Sequence, residues 1–122
     1  LRDIHSRKTG ALITASIQAG AILGNGSEEQ YEALSVYGEK VGLAFQIVDD
    51  LLNVEGTEEQ LGKAAGSDAK RQKATYPALF GVEDTRKKAK TAVHEAITAL
   101  DGFDDRAAPL RALAQYIFTR KR

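Results

Sequence analysis

The sequence predicts an all-α helical bundle, and three observations carry that expectation. No segment alternates apolar and polar residues with the period of two that marks a strand. Apolar residues instead recur three and four apart along most of the chain. Only two prolines, Pro77 and Pro109, interrupt the pattern in 122 residues.

The first helix is expected over about Asp3 to Leu23, stopped by Gly24-Asn25-Gly26, where Gly and Asn supply the left-handed conformation of a helix end. Its segment Ala11-Leu12-Ile13-Thr14-Ala15-Ser16-Ile17 is small or apolar on nearly every side, which predicts burial at the centre of a bundle. Ser27-Glu28-Glu29-Gln30 has the capping-box spacing and should start a long helix running to about Asn53. Thr57-Glu58-Glu59-Gln60 repeats that signal and predicts a short helix ending near Gly62. The polar stretch from Lys63 to Thr75 reads as a loop. Thr75-Tyr76-Pro77 reads as a helix start, with proline in the first turn, where its missing N–H costs little. Ala89, Ala92, Val93, Ala96, Ile97 and Leu100 form one apolar stripe, broken by Asp101-Gly102. Leu110, Leu113, Ala114, Ile117 and Phe118 form the last, before the basic end Arg120-Lys121-Arg122.

This length supports one domain over residues 1–122, and no internal repeat or linker divides it. Seventeen Lys and Arg balance seventeen Asp and Glu, so no net charge draws the chain to nucleic acid or to an anionic membrane. No run approaches the ~18 apolar residues of a membrane span. No basic-then-apolar leader is visible. The absence of Cys excludes disulfides, cysteine zinc sites and a thiol nucleophile, and fits a reducing, cytoplasmic setting. The chain has no Met and opens on Leu1, which leads to the expectation that it is a piece of a longer protein.

The most informative segment is Phe45-Gln46-Ile47-Val48-Asp49-Asp50-Leu51-Leu52-Asn53. At 100° per residue, Gln46, Asp49, Asp50 and Asn53 fall within a wedge of about 100°, and the remaining positions are apolar. A narrow polar stripe of that kind points its carboxylates into a crevice. Two adjacent carboxylates there need a positive partner, and Mg²⁺ suits them because it takes oxygen ligands and leaves room for phosphate oxygens. The plainer alternative is a solvated face with two ordinary acids.

Two further clusters are basic. His5, Lys8 and Thr9 share one helical face, where a lysine could hold an anion beside a hydroxyl; the alternative is an exposed first turn. Lys63, Lys70, Arg71 and Lys73 could grip a diphosphate from the other side of a metal, or could simply be a solvated loop. Arg120-Lys121-Arg122 reads most simply as a frayed basic end, and His94 as a surface residue. No GxGxxG, P-loop or HExxH is present.

His5-Ser6-Arg7-Lys8-Thr9-Gly10-Ala11-Leu12, Phe45-Gln46-x-x-Asp49-Asp50, Leu61-Gly62-Lys63 and Lys73-Ala74-Thr75-Tyr76-Pro77 occur in one order. Together they resemble the trans-polyprenyl diphosphate synthases, most closely the bacterial farnesyl diphosphate synthases, over nearly the whole chain. The resemblance implies the C-terminal part of an all-helical isoprenoid synthase fold, about the last two-fifths of such an enzyme. The first aspartate-rich motif and the isopentenyl diphosphate residues would lie upstream. It further implies a homodimer in the full-length protein, a Mg²⁺ cofactor, and isopentenyl and allylic diphosphates as substrates. The implied reaction is ionisation of the allylic diphosphate, attack by isopentenyl diphosphate, and loss of a proton.

By that resemblance Asp49 is a Mg²⁺ ligand, and Asp50 supports it directly or through water. Lys8 and Lys63 contact the allylic diphosphate, and Lys73 adds charge nearby. Thr9 and Gln46 direct oxygens at the carbocation. The family's Asp-Asp-x-x-Asp ends here in Asn53, which keeps an acceptor oxygen but loses a charge, so weaker binding of that metal is expected. The basic end resembles, loosely, a family terminus that approaches the isopentenyl diphosphate site. A farnesyl product is the first expectation and a geranylgeranyl product the alternative. A non-catalytic helical partner of the same fold is a reading from another class. A terpene cyclase fits less well, because its Asn, Ser or Thr, and Glu metal motif is missing around Asp49. These 122 residues alone are expected to be inactive and prone to associate.

Overall fold

The computed structural model describes residues 2–59 and 75–120, with side chains described for 8–54 and 75–120. Four helices run through these residues: α1 (Arg2–Leu23), α2 (Glu28–Glu59), α3 (Tyr76–Thr98) and α4 (Ala108–Thr119). A short 3₁₀ turn, Asp105–Ala107, precedes α4. No strand occurs among the described residues, as the sequence predicts.

Both ends of the α1–α2 turn form as the sequence indicates. The Gly26 N–H donates to the Ala21 carbonyl (2.9 Å) and the Asn25 N–H to the Ile22 carbonyl (3.0 Å). This is a Schellman stop, and Asn25 is its left-handed residue at φ 58°. The capping box closes in both directions: Ser27 N–H donates to Gln30 Oε1 (2.8 Å), and Gln30 N–H to Ser27 Oγ (3.1 Å). Glu28 and Glu29 add negative charge to the first turn of α2, where the helix dipole favours it.

α2 is the spine, 32 residues and ~48 Å long. It continues past Asn53 to Glu59, so Thr57 does not begin a new helix. A capping-box pattern competes poorly with an existing helix when no breaker intervenes, and Gly56 is tolerated at a cost of about 1 kcal/mol. The expected stop near Gly62 and the loop from Lys63 lie outside the described residues.

The core lies between α2, α3 and α4. Tyr37, Val41 and Ala44 of α2 meet Ala92, Val93 and Ala96 of α3, Leu100 of the following turn, and Ala114 and Ile117 of α4. Ile47, Val48 and Ala89 extend it toward the far end of α2. The many alanines let the helix axes approach closely. Two expectations change here. Leu113 stands 47% exposed, at the edge of the α4 stripe and about 100° round from the buried Ala114. The middle of α1 is not buried all round: Leu12 is 68% exposed, because one face alone packs on α2.

The turn after α3 is held by Arg111. Its Nη2 donates to the carbonyls of Leu100 (3.1 Å) and Phe103 (2.9 Å), and its Nη1 to that of Asp104 (3.2 Å). These carbonyls follow a helix C-terminus, where a cation is favoured.

Candidate functional site

α1 and α2 run antiparallel and cross at glycines. A Cβ placed on Gly42 would stand 3.1 Å from the Gly10 Cα, and one on Gly38 3.1 Å from the Thr14 Cα. The α1-facing direction of α2 is therefore set by Gly38 and Gly42. The opposite side, carrying Tyr37, Ala44, Val48 and Leu51, faces the core. Ile47 looks toward α3, packed with Ala89 and Tyr76.

The polar wedge falls between those neighbours. With Gln46 as origin, Asp49 lies about 60° to the α1 side, Asp50 about 40° to the α3 side, and Asn53 near the middle. On α2, Gln46, Asp49, Asp50 and Asn53 thus share one side of the helix, between the directions of α1 and α3. Gln46, Asp49 and Asn53 are half-buried, while Asp50 is only 4% exposed. The Tyr76 N–H, first in α3, donates to Asp50 Oδ2 at 3.3 Å.

The α1 cluster stands beside this wedge rather than against it. Pairing Gly42 with Gly10 and Gly38 with Thr14 puts Lys8 level with Ala44 and Thr9 level with Leu43. Gln46 is then about 3 Å and Asp49 about 7–8 Å further along the axis than Lys8. Lys8 is exposed, about 160° round α1 from Gly10, and Thr9 is half-buried on a flank. The His5 side chain, Lys63, Lys70, Arg71 and Lys73 lie outside the described residues.

A cation that sequence reasoning placed at a frayed end comes to the same helix. Arg120, at the C-cap of α4, lies with its guanidinium carbon 4.4 Å from the centre of the Phe45 ring. Its Nε and Nη2 are buried and make no hydrogen bond among the described residues. Phe45 precedes Gln46 directly, so Arg120 carries charge to the neighbourhood of the polar wedge. The only sequence signal was the family-like basic end.

A separate open groove of about 580 Å³ lies between α2 and α3, with Leu43, Ile47 and Ala92 as its floor and Tyr76 and Phe80 as one wall. Asp84 and Glu95 line it together with Lys87 and Lys88, and Lys88 Nζ sits 4.5 Å above the Phe80 ring. Its charges balance, unlike the acidic wedge.

The donors on the wedge are oxygens, which suits a hard divalent cation and not a soft one. Among the described residues no three His, Cys, Asp or Glu side chains converge, so this chain offers a pair of carboxylates rather than a closed metal cage. A cation held there would still need oxygens from elsewhere.

A family model for polyprenyl synthetases matches residues 1–114. The chain belongs to the polyprenyl synthetase family. Among curated relatives, it is 50% identical over 120 residues to a dimethylallyltranstransferase of Fischerella ambigua, covering 98% of this chain and 35% of that protein. It is 46% identical to a geranylgeranyl diphosphate synthase of Cyanophora paradoxa, covering 98% of this chain and 40% of that one. It is 49% identical to geranylgeranyl pyrophosphate synthase 11 of Arabidopsis thaliana, covering 98% and 34%. A solved structure from Marinomonas sp. MED121, assigned as a farnesyl-diphosphate synthase, superposes with a TM-score of 0.75 at 34% identity, over 97% of this chain and 39% of that one. The chain therefore spans little more than a third of the length of these relatives. The family and the all-α isoprenoid synthase fold stand as the sequence predicted.

Proposed function

We propose that this chain is the C-terminal part of the catalytic domain of a polyprenyl diphosphate synthase. In that reading the whole protein joins isopentenyl diphosphate to an allylic diphosphate. The observation that carries the reading is the acidic pair on α2, Asp49 beside a buried Asp50, in a segment (45–53) whose residues outside the polar wedge are apolar.

Ionisation of an allylic diphosphate leaves negative charge on pyrophosphate and positive charge on carbon. A Mg²⁺ ion held by Asp49, with Asp50 in support, would offset the charge on the leaving diphosphate. Lys8, Lys63 and Lys73 would add fixed positive charge around that group. The oxygens of Gln46 and Thr9 would face the carbocation, Gln46 from one turn before Asp49. Asn53 would hold a metal-bound water through its amide oxygen. Arg120 supports the reading from the other end, since it brings a cation to Phe45, next to Gln46. The full-length protein is read as a homodimer by the same resemblance.

Product length belongs to this proposal. The resemblance in sequence pointed to a fifteen-carbon farnesyl product. The two geranylgeranyl synthases, at 46% and 49% identity, favour a twenty-carbon product over the 34% likeness to the farnesyl-type structure. The test is a prenyl-transfer assay on the full-length protein, with Mg²⁺, isopentenyl diphosphate and geranyl diphosphate, and products separated by length. A fifteen- or twenty-carbon diphosphate supports the reading and fixes the product. No Mg²⁺-dependent product would overturn it in favour of a non-catalytic partner subunit.

A further inference from the structure

We propose that Asp50 is a positioning residue, which fixes the metal-binding turn of α2 by capping the N-terminus of α3. This rests on the prenyl-transfer reading and assigns the two adjacent aspartates different jobs. Asp49 faces the cation. Asp50 holds the neighbouring helix.

The geometry points this way from several sides. Asp50 lies on the α3 edge of the wedge and is nearly sealed from solvent. Its Oδ2 accepts the Tyr76 N–H across 26 residues of chain. Tyr76 opens α3, and Thr75 at the cap position is extended (φ −91°, ψ 162°) but makes no side-chain cap hydrogen bond. An N-cap residue ordinarily supplies its own oxygen to the first turn. Here an oxygen arrives from another helix. Pro77 follows and has no N–H, so the first turn offers one donor fewer.

The acceptor oxygen makes the contact, and the carboxylate charge adds to it. Drawing the Asp50 charge toward α3 also relieves its repulsion of Asp49, about 100° away on the same helix.

α3 is built so that its first turn can meet this demand. Gly81 is non-helical at φ 81° and ψ 161°, and it sets Tyr76–Phe80 off from the rest of the helix. The Thr85 hydroxyl donates to the Gly81 carbonyl at 2.6 Å, satisfying an acceptor near the kink. The tilt of the first turn is thereby uncoupled from the long core-packed part of α3, and Asp50 anchors it.

The test compares Asp50→Asn with Asp50→Ala in the full-length protein, reading initial rate against Mg²⁺ concentration at saturating substrates. Asparagine keeps the acceptor oxygen and removes the charge. An anchor predicts half-saturating Mg²⁺ within about threefold of wild type for Asn, and raised about tenfold or more for Ala. Asn raising it as far as Ala would make Asp50 a direct ligand and overturn the proposal. Ala leaving it unchanged would overturn it too. Wild-type protein with no Mg²⁺-dependent turnover would sink the prenyl-transfer reading instead. The anchor is then read by amide hydrogen exchange of Tyr76 in the full-length protein. Protection kept in Asn and lost about tenfold or more in Ala supports the cap. Equal exchange in all three proteins overturns it.

Discussion

Gly42 of α2 rides directly on Gly10 of α1, so that a methyl group on Gly42 would press on the α1 backbone. A Cβ on Gly42 would stand 3.1 Å from backbone Cα, which cannot rotate away. Gly42→Ala is therefore expected to lower stability by about 1–3 kcal/mol through overpacking. Gly20, inside α1 with nothing within 4 Å of its missing Cβ, makes the internal control. Gly20→Ala should stabilise by about 0.5–1 kcal/mol. Urea midpoints of the two variants check the opposite signs.

Tyr37 ties the middle of α2 to α4. Its hydroxyl donates to the Leu110 carbonyl at 2.7 Å from a fully buried ring. Tyr37→Phe should cost about 1 kcal/mol through loss of that hydrogen bond. Burial also pushes the Tyr37 phenol up to about 12 from 10.0. The folded state then holds the proton more tightly than the unfolded state does. That contribution is fully present below pH 10 and is lost progressively toward pH 12. Thermal melts across this window should show a steeper alkaline loss in wild type than in Tyr37→Phe.

Gly81 carries the kink of α3 in a backbone region open almost solely to glycine. Nothing lies within 4 Å of a Cβ built there, so a methyl group would meet no neighbour. Any loss in Gly81→Ala must then come from the backbone itself, of the order of 1–3 kcal/mol. Denaturation by urea measures it. A neutral result would mean that the kink relaxes without cost.

Arg111 clasps three carbonyls of the α3–α4 turn with one guanidinium. Arg111→Lys cannot reproduce that fork and should lose most of what Arg111→Ala loses, about 1.5–3 kcal/mol. Calorimetric melting of both variants separates geometry from charge.

These examples show what the sequence could and could not reveal. Local chemistry was legible. Gly24-Asn25-Gly26 stopped α1, Ser27 and Gln30 capped α2, and the Ala89–Leu100 stripe became core, because each signal acts within one or two turns. Gln46, Asp49, Asp50 and Asn53 could be placed on one wedge from helical spacing alone. What that wedge faces could not, because Tyr76 lies 26 residues from Asp50 and no spacing rule links them. Arg111 and Arg120 were equally hidden, since their partners are backbone carbonyls and a distant ring. The burial of α1 was overestimated, because an apolar circumference shows what a helix could bury and not how many neighbours it meets.

The proposed metal–diphosphate role of the α2 carboxylates rests on Asp49. Its most direct measurement is Mg²⁺-dependent prenyl transfer by the full-length protein, compared with Asp49→Ala. The account predicts a loss of about a hundredfold or more in kcat/KM with helix content unchanged, the upper end of what metal-site changes cost. An Asp49→Ala protein as active as wild type at limiting Mg²⁺ would contradict it.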